Sequence, residues 1–148
     1  MLVDLHVHCS KLRHPKVSRV GGGQYPTPER LIAMMDDNGI DVAVLMCGVS
    51  PEWRYTAVIP EEALEICAMY PERLVPFCNV DPRFVGNSVD SDFSSLLEAY
   101  IELGCKGVGE YIPNLPVDDP LNMNLFAQVE EPVSQNVGVE IAPGATGL

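Results

Sequence analysis

The feature that most constrains the fold of this chain is a regular alternation of short β-rich segments and longer amphipathic segments. The β-rich segments predict strands over residues 2–8, 41–46, 74–80, 106–111 and 137–142. The amphipathic segments carry apolar residues at three- and four-residue spacing and predict helices over residues 27–38, 60–70, 92–103 and 119–129. Strands that alternate with helices indicate right-handed βαβ units and a parallel sheet, so the predicted fold class is α/β.

The connection after the first strand bears on the kind of parallel sheet. An open doubly wound sheet and a closed barrel both satisfy the alternation. An open sheet that binds nucleotides usually has glycines between its first strand and first helix. Here histidines end the first strand, and the later Gly21-Gly22-Gly23 run has no strand-to-helix phosphate-loop pattern around it.

Composition excludes several partners. Nine Lys and Arg against 21 Asp and Glu give a net charge of −12, which argues against nucleic acid and anionic membranes. The first residues lack the basic start and apolar run of a signal peptide, and no apolar segment approaches the roughly 20 residues of a membrane span. The five cysteines contain no CxxC pair, so we expect reduced, buried thiols in a cytoplasmic protein, and no cysteine zinc site.

The segment DLHVH, residues 4–8, carries the clearest chemical signal. Side chains alternate along a strand, so Asp4, His6 and His8 are expected on one face. Two imidazoles so close can share one divalent cation, and a nearby carboxylate such as Asp4 can orient a ligating ring. The alternative is that both histidines are ordinary core residues. A third histidine, His14, falls in the predicted loop and is expected to be solvated.

Two glutamates are further candidates for the site. Glu110 ends the fourth predicted strand between glycine-rich neighbours, where it could ligate a metal, act as acid or base, or simply face water. Glu140 lies in an otherwise apolar segment, where an unpaired charge is costly. It is therefore either a ligand or a sign that residues 137–142 do not pack as a strand. Asn79 and Asp81 end the third predicted strand on one face, and turn formation is favoured for them.

These residues resemble the amidohydrolase-related family, whose metal-dependent members include hydrolases, hydratases and decarboxylases. The resemblance rests on DLHVH, TPERLIAMMDDNGIDVAVLM (27–46), YPERLVPFCNVDPR (70–83), LGCKGVGEY (103–111) and DDPLNMNLF (118–126). It implies a (βα)8 barrel, a divalent cation, zinc above others, on His6 and His8, and a small carboxylated substrate that is hydrolysed or decarboxylated. Phosphoesterases also open with a similar motif, but they usually carry Thr-Asp-His where this chain has Met46-Cys47-Gly48.

The chain departs from the family pattern in two places. The family has a histidine at the end of strand five, where this sequence has Glu140, and it has further site residues on strands six to eight. A complete barrel needs about 250 residues, so 148 residues predict a single partial barrel domain, truncated near strand five. We therefore expect little activity from the chain alone and association through open strand edges. The alternative is an inactive remnant with weak metal affinity or an interaction role.

Overall fold

The computed structural model describes residues 1–11, 24–51 and 58–136, with side chains described up to residue 130. Three strands and four helices follow one another along the described chain. The strands are β1 (Val3–Val7), β2 (Val42–Leu45) and β3 (Leu74–Pro76). The helices are α1 (Pro28–Asn38), α2 (Pro60–Met69), α3 (Ser94–Glu102) and α4 (Pro120–Asn136). None of the described helices is long and apolar enough to cross a membrane.

The three strands form one parallel sheet in the order β1-β2-β3. Val3 is in register with Val42, and Ala43 is in register with Leu74. Strand β2 is covered on both faces, because Ala43 and Val44 are 0% and 6% exposed although their side chains alternate. The predicted α/β class and parallel sheet are confirmed.

The fourth predicted strand is shorter than the sequence indicated. Over residues 106–111 the structure has a single parallel bridge, between Cys78 and Val108. The backbone still follows the sheet direction: Lys106 N–H donates to Pro76 O at 2.9 Å, and Gly109 N–H donates to the Cys78 carbonyl at 2.8 Å. Residues 106–110, called here the fourth-strand segment, therefore continue the sheet beyond β3 without forming a full ladder. The predicted fifth strand, residues 137–142, lies outside the described residues.

The ends of α1 follow the chemistry of its flanking residues. Thr27 caps its start, with its hydroxyl oxygen accepting a hydrogen bond from Arg30 N–H at 3.3 Å, and proline occupies the first helical position. Gly39 ends it in the left-handed conformation, at φ 67°, which glycine adopts without strain. Helix α3 begins two residues later than predicted, because the Asp92 carboxylate accepts the Ser94 N–H at 2.9 Å ahead of the first turn.

Two apolar clusters hold the described elements together. The first lies between the sheet and helices α1 and α2, and includes Met35, Leu45 and Ile66. The second joins α3 and α4 to the residues after β3, and includes Phe93 and Leu125. All five cysteines are buried and free, as expected for reduced thiols. The helices pack against the faces of the sheet through these clusters. The carboxyl ends of the strands lie outside this packing, and polar side chains are found there.

Candidate metal centre

Two histidines lie at the carboxyl end of strand β1. His6 is the second-to-last residue of β1, and His8 directly follows Val7, the last one. The carbonyl of Val7 accepts the Met46 N–H at 3.0 Å. The pairing with β2 shifts register between Asp4 and Val7, so the regular alternation of side chains is interrupted there. His6 and His8 nevertheless converge, with their Nε2 atoms 2.9 Å apart and their ring planes at 74°.

The ring of His8 is held by the neighbouring strand. Its Nδ1 lies 3.2 Å from the carbonyl oxygen of Met46. A carbonyl only accepts, so this contact puts the proton of a neutral His8 on Nδ1 and leaves a lone pair on Nε2. With this tautomer, the 2.9 Å contact between the two Nε2 atoms is a hydrogen bond when His6 carries its proton on Nε2, and otherwise it needs a cation between them. The tautomer of His8 thus prepares Nε2 for an electrophile, as in ligating histidines whose other nitrogen donates to a carbonyl.

Glu110 is brought to the same point from the fourth-strand segment. Its Oε2 lies 3.4 Å from His6 Nε2 and 3.3 Å from His8 Nε2, and its side chain is 24% exposed. The backbone around it is tied to the end of β2: Glu110 N–H donates to Cys47 O at 2.7 Å, and Cys47 N–H donates to Gly109 O at 3.1 Å. A Cβ on Gly109 would lie 2.9 Å from the sulfur of Met46, so a side chain there would displace the end of the methionine.

The three side chains fit one divalent cation. Their ligand atoms all lie within 4.8 Å of one another, and they form a triangle with edges of 2.9, 3.3 and 3.4 Å. The point equidistant from its corners is about 1.9 Å from each, which is close to the roughly 2.0–2.2 Å of zinc–nitrogen and zinc–oxygen bonds. Two imidazoles and one carboxylate are also a donor set that zinc and related cations accept.

Asp4 has a different contact from the one its spacing suggested. Its Oδ1 accepts a hydrogen bond from the backbone N–H of His6 at 3.0 Å. Asp4 is in register with Ala43, and the register shift follows it along the strand. The described bond therefore shapes the strand at His6, and an orienting role toward an imidazole stays a prediction. Glu140 and His14 both fall outside the described residues.

The two polar residues after β3 divide into two roles. Asp81 accepts Arg83 N–H at 2.9 Å and pairs with the Arg83 guanidinium, through Oδ1 to Nε at 2.8 Å and through Oδ2 to a terminal nitrogen at 2.7 Å. These contacts are those of a turn, as the sequence favoured. Asn79, by contrast, donates to the backbone of Glu110, which sequence reasoning missed. The sequence feature that could have revealed this role is the position of Asn79 at the carboxyl end of the third predicted strand.

Comparison with solved structures identifies the type of fold. No protein family description matches this sequence, and no curated protein matches it. Solved structures do match. A probable 2-pyrone-4,6-dicarboxylic acid hydrolase from Acinetobacter baumannii aligns with a TM-score of 0.55 and 19% identity, over 88% of this chain and 46% of its own. A 2,6-dihydroxybenzoate decarboxylase from Rhizobium gives 0.56 and 18%, over 88% and 46%. A protein described as amidohydrolase II gives 0.54 and 18%, over 86% and 48%.

These matches define the class of protein at the level of fold. The chain spans a little under half of the length of the solved chains it matches, and those chains are parallel (βα) barrels. The described residues therefore have the architecture of part of such a barrel. The partial (βα) barrel that the sequence motifs implied is confirmed at the level of fold.

Proposed function

We propose that this chain belongs to the amidohydrolase-related family and supplies a metal-binding part of a barrel enzyme, with His6, His8 and Glu110 as the protein ligands. The observation that carries the proposal is the convergence of two imidazole nitrogens and one carboxylate oxygen from two separate strand ends. Parallel barrels keep their chemistry at the carboxyl ends of their strands. Zinc is the first candidate because imidazole and carboxylate ligands suit it.

The reaction we propose is hydrolysis or non-oxidative decarboxylation of a small carboxylated substrate. A bound divalent cation would supply Lewis acidity and a water of lowered pKa. The chain's own residues set the rest: His8 is oriented by the Met46 carbonyl, and Glu110 is held through its backbone. Because Glu110 Oε2 lies almost equally far from both imidazoles, we assign it to ligation rather than to proton transfer.

The proposal extends to the family's chemistry because the matching structures include a decarboxylase and a probable hydrolase by their descriptions. The same matches, together with the absence of Thr-Asp-His after β2, favour this family over the phosphoesterase alternative. The solved chains are about twice as long, so we expect the 148 residues alone to bind metal and to turn over substrate weakly.

Metal binding by the purified chain tests the proposal directly. The chain is freed of metal with a chelator and titrated with Zn²⁺ by calorimetry, with metal content measured independently after dialysis. We expect one zinc per chain, and at least tenfold weaker binding for His6→Ala and Glu110→Gln, because each removes one of three protein ligands. Glu98→Gln is the matched control, since Glu98 is an exposed glutamate on α3.

Two results would contradict the proposal. The first is a folded chain that binds no zinc, cobalt or manganese above background. The second is binding that Glu98→Gln weakens as much as Glu110→Gln does, which would indicate nonspecific attraction of cations to an acidic protein. A chain that binds metal but has no turnover would favour the inactive-remnant alternative while leaving the ligand assignment intact.

A further inference from the structure

Asn79 joins the ends of two strands behind the metal ligands. It is 3% exposed and lies beyond β3, at the carboxyl end of the sheet. Its side-chain Nδ2 donates to the carbonyl of Cys47 at 3.0 Å and also to the carbonyl of Glu110. One buried amide group therefore contacts both the residue that follows β2 and the residue whose carboxylate approaches His6 and His8.

The orientation of this amide follows from its partners. Both partners are carbonyl oxygens, which accept hydrogen bonds and cannot donate them. A flipped amide would set Oδ1 against two oxygens, so the NH₂ group has to face Cys47 and Glu110. In this orientation Oδ1 is buried and has no hydrogen-bond partner among the described residues.

A second buried asparagine shows what a purely structural role looks like in the same chain. Asn122 is 1% exposed, its Oδ1 accepts the Tyr111 hydroxyl at 2.8 Å, and its Nδ2 donates to Pro116 O at 2.7 Å. Both ends of that amide are satisfied. Asn79 leaves an acceptor unmatched, which destabilises a buried site. Such costs are tolerated mainly where the group serves another purpose.

The bonds of Asn79 complete the restraint on Glu110. The N–H of Glu110 donates to Cys47 O at 2.7 Å, and its carbonyl accepts from Asn79. Both polar groups of the Glu110 backbone are therefore occupied, and the Cys47 carbonyl is shared between Glu110 and Asn79. With its backbone bound on both sides, Glu110 has only its own side-chain torsions left to place Oε2 near the two imidazoles.

We propose that Asn79 is a positioning residue of the metal centre, which holds the Glu110 backbone so that its carboxylate meets His6 and His8 at one cation. The assignment rests on the proposed metal-binding function. It differs from a structural role in a measurable way: loss of Asn79 has to change the metal site itself, and not only the stability of the fold. Groups that orient metal ligands typically contribute 10–100-fold to metal affinity.

The test compares Asn79→Ala with the matched variant Asn122→Ala in the full chain. Zn²⁺ affinity is measured by competition with a chromophoric chelator, and Co²⁺ absorption spectra report the ligand geometry. We expect Asn79→Ala to weaken Zn²⁺ binding at least tenfold and to alter the Co²⁺ spectrum. Asn122→Ala should leave both within twofold of the parent, although it removes two buried hydrogen bonds. Asn79→Leu, which keeps the branched shape of the side chain without its donor, replaces Asn79→Ala should the alanine variant fail to fold.

A double-mutant cycle with Glu110→Gln tests whether Asn79 affects Zn²⁺ binding through Glu110. If Asn79 acts through Glu110, then Asn79→Ala should weaken Zn²⁺ binding less than threefold once Glu110 is already Gln. Equal losses in both backgrounds would overturn the inference, as would unchanged affinity and spectrum for folded Asn79→Ala. A parent chain that binds no metal would overturn the proposed function itself, which distinguishes the two failures.

Discussion

At the scale of single residues, the chemistry of the candidate site depends on which nitrogen of each imidazole is available. For His8 the choice is made by the Met46 carbonyl 3.2 Å from Nδ1, so Nε2 faces Glu110 and His6. His8 is also the better enclosed of the two, with its side chain 15% exposed against 48% for His6. The more buried histidine is thus the pre-oriented one, and His6 closes the site from the solvent side.

Burial also determines the acid–base behaviour of Cys9 and Cys67. It raises the pKa of Cys9, with Glu62 adding to the effect, and the pKa of Cys67, each from about 9 to about 12. In the unfolded chain these thiols ionise near pH 9, whereas in the folded chain they stay protonated. Their contribution to folding is therefore complete below pH 9 and is lost as the pH rises from 9 toward 12.

We accordingly expect the free energy of unfolding in urea to fall steadily between pH 9 and pH 11. The double variant Cys9→Ala/Cys67→Ala should lose less stability over the same range, because it lacks two of the groups that ionise only on unfolding. Parallel slopes for the two proteins would contradict the assignment. Ordinary thiol reagents at pH 8 should react slowly with the native chain and with all five cysteines after denaturation.

At the scale of elements, the fourth-strand segment decides whether Glu110 reaches the histidines. It lies so close to the residues after β3 that a Cβ on Gly107 would come within 2.5 Å of the Phe77 ring. Glycine is required here by contact rather than by backbone conformation. Gly107 and Gly109 have no side chains to pack against the neighbouring strand. This explains why residues 106–110 follow the sheet with only one bridge.

Replacing Gly107 with alanine should therefore destabilise the fold by about 1–3 kcal/mol, the usual cost of inserting a methyl group into a filled space. Adding Phe77→Leu should restore part of that loss, because the smaller side chain leaves the space that the new Cβ needs. Urea unfolding of the single and double variants measures both effects. Strictly additive losses would show that the contact with Phe77 is not the cause.

At the scale of the whole molecule, the described sheet presents an apolar edge. Strand β1 is paired on one side only among the described strands, and Leu2, Val3 and Leu5 near it are 54%, 38% and 57% exposed. In the solved structures the matched part is under half of the chain, so other segments are available to cover the corresponding edge. The sequence-based expectation of self-association through strand edges can be tested at Leu5.

We expect Leu5→Lys to shift the purified chain toward the monomer, because a charged side chain on an edge strand opposes pairing with a second copy. Sedimentation velocity over a tenfold range of concentration measures the change. Met123→Lys serves as the control, since Met123 is a similarly exposed apolar residue on α4, 53% exposed. Equal shifts for both variants would point to general solubility, and a parent that is monomeric throughout would refute association.

Sequence alone was enough to predict the order and kind of the first three strands and the four helices. Apolar runs such as residues 41–46 and the Thr27-Pro28 and Gly39 boundaries of α1 depend on local chemistry, so the parallel α/β arrangement and the ends of α1 could be predicted. Helix α3 begins two residues later than predicted, and α4 extends to Asn136, beyond the predicted end at residue 129. The sequence also identified His6, His8 and Glu110 as candidates, because their residue types and strand-end positions are visible without coordinates.

The way in which those candidates meet depends on tertiary packing. The register shift in β1 and the bond from the His6 N–H to the Asp4 carboxylate cannot be read from the pattern of alternation. Glu110 comes within 3.4 Å of His6 although the two are far apart in the chain, and Asn79 holds the Glu110 backbone from a third strand end. These relations depend on the packing of segments that are distant in sequence, where the position of one residue depends on all of its neighbours at once.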